Sequence, residues 1–102
     1  GTKRATQIPL RTAELCLEAL DLCRRAAEKG LPASVTDAGV GALVARAGFE
    51  GAVYNVRVNL KSIQDAAWVE QVRAQVKAMG ERATALAAAT AARVEGLLQA
   101  PA

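Results

Sequence analysis

The chain has 102 residues, 52% of them apolar but only 3% aromatic, and a net charge of +3. That length fits one small domain, and an alanine-rich composition with Phe49, Tyr54 and Trp68 as its only aromatics suits closely packed helices better than a sheet sandwich. An apolar chain of low net charge lacks the signature of disorder, no uncharged apolar run is long enough to cross a membrane, and no basic cluster interleaved with aromatics marks a nucleic-acid surface.

The first predicted helix runs from Leu10 to Lys29, with Pro9 at its start and Gly30 at its end. Helical projection gathers Arg11, Glu14, Glu18, Asp21, Arg25, Glu28 and Lys29 on one side and leaves an apolar arc over more than half the circumference. A surface helix needs an arc of only about 100°, so this one is expected to touch more than one neighbour. Cys16 and Cys23 lie about 10 Å apart along its axis, too far for an unstrained disulfide. They read as two reduced thiols in a cytoplasmic protein.

Leu31-Pro32-Ala33 forms the predicted turn. Ser34 or Thr36 then serves as N-cap of a second helix, with Asp37 near the positive end of its dipole. Residues 53–60 are rich in strand formers and partly alternate. Helical geometry orders the whole segment better, because it brings Arg46, Glu50, Arg57 and Lys61 within about 60° of one another. One helix of about 40 Å, ending near Ser62, is expected, with a strand over 53–60 as the alternative.

Asp65 caps the third predicted helix. Trp68, Val69, Val72, Val76 and Met79 form its apolar stripe, and Glu70, Arg73, Lys77 and Glu81 its polar one. Gly80 is a weak point, costing about 1 kcal/mol relative to alanine, and the alanine-rich stretch from Arg82 to Ala92 continues or resumes the helix until it frays by Gln99. The fold class is all-α: long antiparallel helices forming part of a bundle, with residues 1–102 as a single helical unit.

Histidine is absent, which removes Ser–His and Cys–His nucleophile pairs and any His-containing zinc site. No metal site is expected. Opposite the charged stripe of the second helix, Asp37, Gly41, Gly48, Asn55 and Asn59 project within about 40° of one another. Glycines inside a helix permit close approach of a backbone or a ligand. Asn55 and Asn59, read as pointing into the packed side, need hydrogen-bond partners. Two uses are open: helix crossing with amides bonded across the core, or a cleft in which Asp37 and the amides hold the edge of a flat polar heterocycle. Trp68 reads as core or interface packing and Tyr54 as a surface-edge residue. Lys3, Arg4 and Arg11 are either solvated or attract an anionic tail. Gly39-Val40-Gly41 lacks the preceding strand and third glycine of a dinucleotide site.

Three segments carry a resemblance: Thr6-Gln7-Ile8-Pro9-Leu10, Ser34-Val35-Thr36-Asp37-Ala38-Gly39-Val40, and Gly51-Ala52-Val53-Tyr54-Asn55-Val56-Arg57-Val58-Asn59-Leu60. Together they resemble the cyclodeaminase domain of formiminotransferase-cyclodeaminase and its stand-alone relatives, including methenyltetrahydrofolate cyclohydrolases. The resemblance covers roughly Thr6 to Asp65. It implies an all-helical, dimeric enzyme acting on tetrahydrofolate as substrate, with no covalently bound cofactor. The cyclodeaminase closes 5-formiminotetrahydrofolate to 5,10-methenyltetrahydrofolate with loss of ammonia, and the cyclohydrolases interconvert the methenyl and 10-formyl forms. On the matching positions Asp37 would be the catalytic base or orienting group. Asn55, Asn59, Gly41 and Gly48 would form the substrate-binding set.

The family domain is about twice this length and opens on a Pro-Gly-Gly-Gly-Ser-type segment that has no counterpart here. The expectation is therefore the C-terminal half of a cyclodeaminase-type folate enzyme, with a methenyltetrahydrofolate cyclohydrolase as the alternative, completed by oligomerisation, as a homodimer, or by a separate N-terminal half. A non-catalytic helical assembly module, with the Gly/Asn stripe as its interface, is the contrasting reading.

Overall fold

Thr2 sets the start of the first helix: its hydroxyl oxygen accepts a hydrogen bond from the Ala5 N–H at 3.0 Å, filling one of the donors a helix start leaves unpaired. The computed structural model describes residues 1–102 and holds three helices, α1 (Lys3–Lys29), α2 (Pro32–Leu60) and α3 (Ala66–Gln99). The all-α class expected from composition is what the chain adopts, and no strand forms.

The helix boundaries differ from expectation at two points. The first helix starts at Lys3 rather than Leu10, and Pro9 lies inside it. Proline in a helix interior forfeits a backbone bond at a cost of about 3 kcal/mol. Here the Thr2 cap and the burial of Thr6 and Leu10 on either side of Pro9 carry the helix through it. The second helix starts at Pro32, with Leu31 as a cap residue that makes no side-chain bond. Proline suits a first helical position because its missing N–H is one the helix could not use. Ser34 and Thr36 therefore lie within the helix, and the Thr36 hydroxyl donates to the Ala33 carbonyl at 3.0 Å. Residues 53–60 are helical because Val53, Val56 and Leu60, at helical spacing, are all buried in the shared core. Asp65 caps α3 as expected, accepting from the Trp68 N–H at 3.1 Å, and α3 passes through Gly80 without a break.

Cross-helix contacts fix the topology. Lys3 meets Asp65, Glu14 meets Gln75, Asp21 meets Arg82 and the Ala27 carbonyl accepts from Arg93, at sequence separations of 62, 61, 61 and 66. A nearly constant offset means that α1 and α3 run parallel. The reverse order holds for α2: Gly41 sits by Cys23 and Gly48 by Cys16, so α1 and α2 are antiparallel.

Phe49, Leu20 and Val56 are among the most completely buried side chains of a core that also takes Leu10 from α1 and Val72, Met79 and Leu86 from α3. The buried hydroxyls of Thr6 and Thr90 bond to the Thr2 and Leu86 carbonyls of their own helices at 2.9 and 2.8 Å. The molecule measures 58 × 17 × 17 Å, with a radius of gyration of 16.1 Å. A compact domain of this size has one of about 13 Å. The chain is thus a rod of three helices, and only 19 of 102 residues are buried.

Candidate functional site

Glycines bring the helices together. A methyl group on Gly48 would lie 2.9 Å from the Cys16 sulfur, and one on Gly41 would lie 3.0 Å from the Cys23 sulfur. Gly39 performs the same service toward α3, since a methyl there would meet Val94 at 2.6 Å. All three admit a neighbour's side chain at a distance that a larger residue would reach only if that side chain shifted. The helix-crossing use of Gly41 and Gly48 is therefore realised within the chain, and both cysteines are free thiols.

The polar members of the stripe are placed differently from expectation. Asn55 is exposed and Asn59 is half-exposed rather than turned into the packed side. Asn59 Nδ2 donates to the Asn55 carbonyl at 3.0 Å, a bond within its own helix. Asp37 is exposed. The reason is that α1 covers only one flank of the stripe. Distance along the axis separates its members further: a rise of 1.5 Å per residue puts Asp37 about 27 Å from Asn55. The two amides form one group and Asp37 a second, and no small molecule touches both within one chain.

Around this stripe lies an uncovered apolar face. Val40, Leu43, Val44 and Val58 of α2 are exposed, Leu43 by 73% and Val44 by 67%. On α1, Ile8, Leu15 and Leu22 share one stripe and are likewise exposed. The expected breadth of the apolar arc on α1 is real, and one of its neighbours is solvent.

Two grooves follow the α2–α3 seam. At the N-terminal end of α2 an apolar groove of about 700 Å³ is lined by Val40, Leu43, Ala88, Val94 and Leu98, with Arg46 and Glu95 among its polar residues. At the other end a cleft of about 510 Å³ is lined by Tyr54, Arg57, Lys61, Arg73 and Lys77 over Leu60 and Val76. Sequence reasoning assigned these four cations to separate polar stripes and missed their convergence. The repeated basic pair one turn apart, on both helices, was the available signal.

Two of the three N-terminal cations are committed elsewhere. Lys3 bonds Asp65 at 2.8 Å and stands 5.6 Å from the Trp68 ring centroid, while Arg11 pairs with Glu14 at 3.1 Å. The Lys3 ammonium, with the Trp68 N–H beside it, holds the Asp65 carboxyl below its ordinary value. Of the three residues considered for an anionic tail, two are thus paired within the chain. Trp68 is half-buried against the core and Tyr54 is exposed, as expected.

Fold and site together define an all-helical unit whose distinctive polar residues lie on an open apolar face. A model of the formiminotransferase-cyclodeaminase family matches residues 1–78. The chain belongs to that family. It is also 39% identical over 84 residues to a methenyltetrahydrofolate cyclohydrolase of Methylorubrum extorquens, a match covering 82% of this chain and 40% of the relative. The matched stretch is thus about two fifths of that protein's length.

Proposed function

We propose that the chain forms part of a folate one-carbon site of the methenyltetrahydrofolate cyclohydrolase type, converting 5,10-methenyltetrahydrofolate to 10-formyltetrahydrofolate. The observation that carries this is the 39% identity to a protein of that name, over a stretch long enough to take in all of α2. In the reaction water adds to the carbon bridging N5 and N10 and gives up a proton, and the bond to N5 then breaks. A carboxylate suits the role of proton acceptor, and paired amides suit the edge of the pterin. Asp37 and the Asn55–Asn59 pair are the residues proposed for these roles.

The reading includes a second copy on the open face. If two α2 helices cross antiparallel about their midpoints near Gly48, the Asp37 of one chain lies opposite the Asn55–Asn59 pair of the other, which reconciles the axial separation with a single site. Gly48 itself is taken up by Cys16 of α1, but Gly51, with nothing within 4 Å of it, leaves room for the second helix to approach closely. Mixing Asp37→Asn with Asn55→Leu then restores part of the activity that each variant has lost. No recovery on mixing, with both variants folded, counts against a shared site.

Cyclodeamination of 5-formiminotetrahydrofolate is the second reading, favoured by the description of the matching family. Offering both substrates separates the two. Loss of the methenyl absorbance without ammonia release is expected, and ammonia release from the formimino compound would overturn the preference. Failure of both folates to bind a folded, associated protein would leave the assembly-module reading.

A further inference from the structure

We propose that the cleft between the C-terminal turns of α2 and the first half of α3 binds a small polyanion, one with at least two negative groups about a helical turn apart. Arg57 in the last turn of α2, Lys61 directly after that helix, and Arg73 and Lys77 on α3 all line it, and no carboxylate does. Each pair is separated by one turn, about 6 Å along its helix.

Most cations elsewhere in the molecule are paired with carboxylates. Arg24, Arg25 and Arg82 surround Asp21, Arg46 pairs with Glu50 at 3.0 Å, and Lys3 pairs with Asp65. In the cleft, Arg57, Lys61 and Lys77 make no ion pair, and Arg73 reaches Glu70 only at 3.9 Å. Like charges four apart on a helix are mutually unfavourable. Two such pairs facing one concavity therefore form a surface that a bound anion relieves. The apolar floor of Leu60 and Val76 lowers the local dielectric, and the exposed Tyr54 hydroxyl adds a donor at the rim.

Condensed phosphates and runs of carboxylates share this chemistry, so the probes are inorganic tripolyphosphate and a triglutamate peptide. Each is titrated at low ionic strength and followed by calorimetry and backbone amide shifts. Shifts confined to the ends of α2 and α3 that line the cleft are expected, with affinity falling as salt rises. The tighter probe identifies the source of the anion.

The double variant Lys61→Gln/Lys77→Gln should weaken binding about tenfold, while Arg4→Gln/Lys29→Gln, with the same loss of net charge, should change it by less than about twofold. Equal weakening by both pairs, shifts spread over the whole surface, or no binding of either probe would overturn the proposal. The wild-type shift map decides even where a variant fails to fold. Neither probe carries a pterin, so the result is independent of the folate reading.

Discussion

On one side of α2, Val35, Ala38, Phe49, Val56 and Leu60 are buried against α1 and α3, while on the other side Val40, Leu43, Val44 and Val58 stand in solvent. The residue types are nearly the same. What differs is the presence of a partner: Gly41, Gly48 and Gly39 have contacts that bring α1 and α3 in, and Gly51 has nothing opposite it. A helix apolar on both sides carries the pattern of a larger assembly than three helices supply. Substitutions on the buried side should therefore read out as stability, and those on the open side as association.

The largest effect is expected at Phe49. Phe49→Ala should cost about 3–5 kcal/mol in urea unfolding, through lost burial and the cavity left behind. A loss under about 1 kcal/mol would mean that the core is not built around this ring. Next comes Gly48→Ala, whose methyl must displace the Cys16 sulfur. Overpacking of this kind costs about 1–3 kcal/mol, against about 1 kcal/mol gained from helix propensity, so net destabilisation or no gain is expected. Gly51 has nothing within 4 Å of the same methyl position. Gly51→Ala should accordingly raise stability by about 1 kcal/mol. Equal gains at both glycines would break the distinction between the two sides.

On the exposed apolar stripes of α2 and α1, Val44→Ser and Leu22→Ser should leave the unfolding free energy of the monomer within about 0.5 kcal/mol of wild type. The smallest effect belongs to the Lys3–Asp65 pair, which ties the start of α1 to the start of α3. The Asp65 carboxyl titrates below its ordinary 3.8 because Lys3 bonds it. Its contribution is therefore present above that value and fades as pH falls through the lower, folded value. Asp65→Asn should flatten this part of the acid profile, and an unchanged profile would deny the pair any role.

The fold was legible because its signals are local: the Asp65 cap, the stop at Gly30, and one consistent helical projection from Asp37 to Lys61. The start of α1 was not. Pro9 is as good a first-turn residue as an interior one, and only the burial of Thr6 and Leu10 separates the two. The candidate site was half legible. Projection along one continuous helix puts Asp37, Gly41, Gly48, Asn55 and Asn59 on one face, but it discards distance along the axis, and it cannot say which part of a face has a neighbour. Asn55 and Asn59 were read as packed because their surroundings are apolar, and those surroundings proved to be open. The cationic cleft needed two helices at once, which no single-helix projection displays.

Sedimentation velocity across a concentration series tests most directly whether the open side of α2 is a contact surface. A species heavier than one chain is expected, which reverts to the monomer on Leu43→Lys or Val44→Lys while the helical content is unchanged. A wild-type protein that stays monomeric at every concentration, or an assembly indifferent to both substitutions, would contradict that expectation.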